Sequence, residues 1–194
     1  MAEDLGKSYL ADMIRSLRGY KRLAESAIAQ LSEVELFQQI DPESNSVAII
    51  MKHISGSMRS RFTDFLTSDG EKPDRGRDRE FVQDRLTREE LNSGWESAWQ
   101  LLFATVEVLK PEDLLQIVTI RGEEHTILQA LNRALTHYAQ HVGQIVFLAK
   151  HVRGQEWKTL SIPRGKSEDY KAGFPSYKHG LPIPDEGKSG VRRR

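Results

Sequence analysis

Two histidines, His137 and His141, stand four residues apart in the stretch THYAQHVGQIVFLAKH, residues 136–151. On an α-helix that spacing advances by about one turn, so both imidazoles lie on one face. Ala134 and Leu148 fall on the same face at about 100° per residue, which points the pair inward. A single buried histidine is ordinarily satisfied by a carbonyl or a hydroxyl. Two that are one turn apart compete for acceptors and raise each other's cost of protonation, whereas one divalent ion satisfies both lone pairs. Catalytic sites for such ions generally take at least three protein ligands. His53 is the expected third, since it sits at the inward edge of another apolar helix and is followed by Gly56 and Ser57, small residues that leave room for an ion and its ligand. His125 lies at a helix junction, His151 about 15 Å along the helix from His141, and His179 in a polar tail, so these three fit less well.

The rest of the composition narrows the chemistry. Without cysteine there is no disulfide framework, no thiolate nucleophile and no Cys-ligated metal, which leaves His, Asp and Glu as ligands. Basic and acidic residues number 28 each, so overall charge gives no reason to expect nucleic acid, a membrane surface or an acidic partner. The N-terminus carries Glu3 and Asp4 and no continuous apolar run, and segments such as VAIIM fall far short of the ~20 residues that span a bilayer. The expectation is a cytoplasmic protein that recognises a small molecule locally.

Four amphipathic segments must position the histidines. The first, about 4–31, repeats Leu10, Met13, Leu17, Tyr20, Ala24, Ile28 and Leu31 at three- and four-residue steps. The second, to about 66, starts at a cap on Asn45 or Ser46 and carries His53 beside its apolar stripe. The third opens at Thr87 with the capping-box pattern TREE and stops before Pro111. The fourth, about 126–150, has Arg133 as its only full charge between Thr126 and Ala149, which predicts a central helix covered on most sides. Alternation around Arg121-Gly122 predicts a short β-hairpin just before it. Residues 1–151 therefore read as one domain, with 152–194 as an irregular extension packed on or near it.

On these residues the chain resembles a known superfamily. NSVAIIMKHISGSM and ALTHYAQHVGQIVFLAKH, with one histidine on the second helix and His-x3-His on the fourth, are similar to the DinB/YfiT-like metalloproteins over about residues 5–150. RFTDFLTSDGEKP and WKTLSIPRGKSE resemble a branch known only as a domain of unknown function. The resemblance implies an all-α four-helix bundle of up-down-down-up topology, a homodimer, and zinc or nickel held by His53, His137 and His141. Surplus apolar surface at Trp95, Trp99 and Phe103 points to the same homodimer. That topology also brings the 67–86 crossover and the tail to the rim where the second helix starts. The metal is expected to open there, with Arg75, Arg77 and Trp157 in reach of a substrate and Arg133, one turn before His137, facing an anionic group.

Three neutral imidazoles leave a divalent ion uncompensated and at least one position open, the arrangement of a catalytic site. The leading expectation is a metalloenzyme that binds a low-molecular-weight thiol as thiolate and directs it onto an electrophile, an S-transferase. The alternatives are a metal-dependent hydrolase, for which no convincing carboxylate base is visible, and a non-catalytic metal-binding interaction module.

Overall fold

The computed structural model describes residues 2–82 and 86–166; His179 and most of the expected tail lie outside the described residues. Four long helices carry the core: α1 (Ala2–Ile28), α3 (Val47–Phe62), α5 (Arg88–Val106) and α6 (Ile127–Arg153). Two short helices, α2 (Glu33–Phe37) and α4 (Arg77–Glu80), lie in the connections. Helix α3 packs mainly on α5 and α1 mainly on α6, while α3 also packs on α6 and α1 on α5. The fold is mostly helical, with one small two-stranded sheet.

Local chemistry fixes where the elements start. Ser46 caps α3 by accepting from the Ile49 N–H. Thr87 with Glu90, and Thr126 with Gln129, form capping boxes at the starts of α5 and α6. Each such cap satisfies N–H groups that have no partner inside the helix and contributes about 1 kcal/mol. Helix α6 ends at Gly154, whose φ of 52° suits a residue without a side chain.

The predicted hairpin is present as β1 (Ile117–Ile120) and β2 (Glu123–Thr126), paired antiparallel with Ile120 opposite Glu123. Both residues of its turn have positive φ, 57° at Arg121 and 75° at Gly122, as a two-residue hairpin of right-handed twist requires. For arginine that conformation costs about 1–2 kcal/mol. Asp69 offsets it by accepting from the N–H groups of Arg121 and Gly122 at 2.8 and 2.7 Å, and the Gly70 N–H bonds the Thr119 carbonyl at 2.8 Å. The connection after α3 is thereby tied to the hairpin.

Three expectations change. Helix α6 exposes Asn132, Arg133, Thr136, Gln140, Gly143 and Phe147, so its scarcity of charge reflects an exposed face built mostly of uncharged residues rather than cover on all sides. Trp95 and Trp99 are buried within the chain, which removes the surplus apolar surface expected of them. Trp157 packs against the core and does not reach the histidines' cavity. No helix among the described residues is long and apolar enough to cross a membrane.

The Asp69 tie has a pH signature. Its bonds from the N–H groups of Glu71, Gly122 and Arg121 hold the carboxyl below its ordinary 3.8. A depressed folded pKa adds stability that is complete above the unfolded value and is lost as pH falls through the folded one. The stability gap between the natural chain and Asp69→Asn, measured by thermal unfolding, should therefore be open at pH 6 and narrow below pH 3.8. An equal gap at pH 6 and pH 3 would contradict this role for the carboxylate.

Candidate metal centre

Helices α3 and α6 bring the three histidines together. His53, His137 and His141 offer ligand atoms that all lie within 4.8 Å of one another, close enough to hold a divalent metal ion. His53 is buried, and the other two are half-buried. The His137 Nε2 lies 3.2 Å from the His53 Nε2 and 3.1 Å from the His141 Nε2. Two imidazole nitrogens on one tetrahedral zinc, each at ~2.0–2.1 Å, stand about 3.3 Å apart. The observed spacing is close to that.

The opposite edges of two rings fix their tautomers. The His53 Nδ1 lies 2.8 Å from Glu80 Oε2, and the His141 Nδ1 lies 2.7 Å from Gln144 Oε1. An ionised carboxylate and an amide oxygen only accept, so both Nδ1 atoms carry a proton, and in the neutral ring each Nε2 then presents its lone pair to the cluster. A proton on the His137 Nε2 could bond one of its neighbours only. A divalent cation satisfies all three, so the donor set fits such an ion.

Electrostatics favour the neutral ligand form. Burial, then the neighbouring His141 and His53, then Arg61 and Arg75, push the His137 pKa down to about 3. Burial and His53 lower that of His141 against an opposing bond to Gln144. Neutral imidazole is the metal-binding state, so these rings need no deprotonation near pH 7.

Glu80 is the functional residue that sequence reasoning missed. It lies on α4, and Arg75 grips it in a fork, Nε to Oε1 at 2.9 Å and Nη2 to Oε2 at 2.8 Å. The side chains are 6% exposed for Arg75 and 10% for Glu80. Burial works against the carboxylate charge, but the bonds from His53 and Arg75 outweigh it and hold the Glu80 pKa below the usual range. Removing one partner of so buried a pair typically costs about 3–5 kcal/mol. Gly56 makes the arrangement possible: a Cβ there would stand 2.1 Å from Glu80 Oε1. Its small size makes room for this carboxylate, not for the ion as expected from the sequence.

A cavity of about 200 Å³ runs from His53 and His137 past Ser57 and Ala134 to Arg61, Arg75, Arg77, Arg121 and Arg133. Arg75, Arg77 and Arg133 thus line one cavity together. Arg61 and Arg121 carried no sequence signal. The direction of opening is reversed, however. Ser57 and Arg61 lie beyond His53 toward the end of α3, and Arg133 lies before His137 toward the start of α6, so the cavity extends away from the rim where α3 begins. The cause is the connection after α3, which folds back along that helix to reach His53 instead of staying at the other end. His125 accepts from Arg133 Nη1 at its Nε2, 3.2 Å away, and His151 is exposed beside Phe147, so neither joins the cluster.

The chain belongs to the family described as "Protein of unknown function (DUF1572)", whose sequence model matches residues 4–166. No curated protein and no solved structure matches it.

If Glu80 orients His53, its removal should weaken metal binding without removing a ligand. Glu80→Gln should lower Zn²⁺ affinity about 10- to 100-fold by calorimetry. Gly56→Ala should act in the same direction by displacing the carboxylate, and His151→Ala should have no effect. Unchanged affinity in both of the first two variants would show that His53 is held by other means.

Proposed function

We propose that this member of the family is a metal-dependent enzyme in which His53, His137 and His141 hold a divalent ion, zinc or nickel, and a low-molecular-weight thiol is transferred to an electrophilic small molecule. The same reading takes the four long helices as a DinB-like bundle of up-down-down-up topology, acting as a cytoplasmic homodimer. The observation that carries it is the convergence of three Nε2 atoms, with Glu80 and Gln144 behind two of the rings, at the end of a cavity open to a small molecule. Neutral ligands leave the ion its full charge, and when bound it would supply acidity, so that a coordinated thiol or water loses its proton near neutral pH.

The chain's own residues define what else can act there. Glu80 is engaged by both Arg75 and His53, so it orients a ligand and is poorly placed to take a proton from water. The Tyr138 phenol is fully buried, shares a side-chain hydrogen bond with Ser57, and is pushed up to about 12 by burial, so it stays neutral. Among the described residues that line the cavity there is no carboxylate, which favours an incoming nucleophile that brings its own acidic hydrogen over hydrolysis with a protein base. Cysteine is absent, so the sulfur must come from a cosubstrate.

Replacement of His53, His137 or His141 by Ala should each remove high-affinity metal binding; full occupancy in His137→Ala would remove the site. In Co²⁺-loaded protein, a low-molecular-weight thiol should produce a sulfur-to-metal charge-transfer band and be consumed by an epoxide or chlorinated aromatic only when metal is present. Metal-dependent ester or amide cleavage without thiol would identify a hydrolase instead. Metal binding with neither activity would identify an interaction module.

A further inference from the structure

Five guanidinium groups on one cavity of about 200 Å³, with no carboxylate among the described residues that line it, are more positive charge than three histidines need. Two of the five are already compensated. Arg75 is paired with Glu80 and Glu71, and Arg121 with Glu71. The other three have no acidic partner among the described residues. Arg133 donates to His125, the Arg77 guanidinium lies 5.3 Å from the centre of the Phe81 ring, and the Arg61 Nη1 is fully covered with no hydrogen-bond partner among the described residues.

Arg61 is the most informative of them. Burial is the main influence against its charge, and the attraction from Tyr138 and Glu71 is set against repulsion from Arg133 and Arg75, so that the Arg61 pKa stays below its ordinary value. A covered donor without an acceptor costs about 1–3 kcal/mol, more when it is charged. Its position is nevertheless fixed, because it lies two turns beyond His53 on α3 and packs on Gly70, where a Cβ would meet its Cδ at 3.0 Å. The Asp69 tie holds Arg121 at the same cavity from the hairpin. Helix, connection and hairpin thus each deliver a cation to one place.

A carboxylate has two oxygens and one negative charge, enough for one guanidinium fork. A tetrahedral phosphate monoester has three terminal oxygens and nearly two charges, which matches three uncompensated guanidinium groups. We propose that this cavity binds the phosphate head of a phosphorylated small-molecule substrate, with the remainder of that molecule directed toward His53 and His137. The direction of the reacting end rests on the metal reading above; the phosphate site itself does not.

The test uses the full chain after treatment with EDTA, titrated at constant ionic strength with inorganic phosphate, with glycerol 3-phosphate as a simple monoester, and with acetate. Both phosphates should bind and acetate should not. Arg133→Gln, on an exposed part of α6, and Arg61→Met should each weaken phosphate binding about tenfold or more. Arg15→Gln, on the exposed face of α1, should not change it. Arg133→Gln keeps the test decisive if Arg61→Met fails to fold. Binding of inorganic phosphate without the monoester, equal binding of acetate, or phosphate affinity unchanged by Arg133→Gln would each overturn the proposal. Phosphate binding by metal-free protein that cannot take up Zn²⁺ would uphold it while sinking the metal reading, and phosphate bound only by metal-loaded protein would do the reverse.

Discussion

The buried chain from Arg75 through Glu80 to His53 is the constraint on which the site depends. It makes one carboxylate on α4 do two things: fix a tautomer on α3, and hold the connection after α3 against that helix. A buried ion pair is weak as a source of net stability, since its attraction is largely offset by the loss of hydration. Its value lies in geometry. Two bonds from one guanidinium leave a carboxylate little rotational freedom, so the imidazole that it holds is aimed as firmly as the helix that bears it.

Folding the connection back along α3 has further consequences. It requires Gly56, because any Cβ would occupy the carboxylate's place. It brings Phe81 to 4.5 Å from the His53 ring, so one side of the cluster is covered by an aromatic face. It also lets Asp69 fasten the hairpin turn, which brings Arg121 to the cavity that Arg61 and Arg133 approach from two helices. The hairpin looks like a minor accessory in the sequence. In the structure it is a wall of the site.

How much of this was legible depended on periodicity. His137 and His141 announce themselves by a spacing of one turn on an inward face, and His53 by its place beside an apolar stripe; both signals survive because helices translate spacing into direction. The caps at Ser46 and Thr87 are local, so they too could be read. Glu80 could not. It lies in a mixed run of Asp, Arg and Glu whose pattern is that of a solvated loop, and only the tertiary path of the chain distinguishes it from its neighbours. Arg61 was hidden differently, since a basic residue in the last turn of a helix is already accounted for by the helix dipole. The small size of Gly56 is legible in the sequence, but that it makes room for a carboxylate follows only from the path of the chain after α3.

The positive charge of the cavity and the neutrality of His137 belong to one arrangement. A cation near an imidazole disfavours protonation, and Arg61 and Arg75 add to burial in keeping His137 in its unprotonated form. The guanidinium groups that could draw an anion therefore also keep a lone pair available at the cluster. Glu80 does not cancel this effect at His137, because its charge is bound up with Arg75 and with the far edge of the His53 ring. Opposite demands, an acceptor behind one imidazole and a positive field around another, are met within one cavity by placing the carboxylate behind the histidines and the cations in front of them.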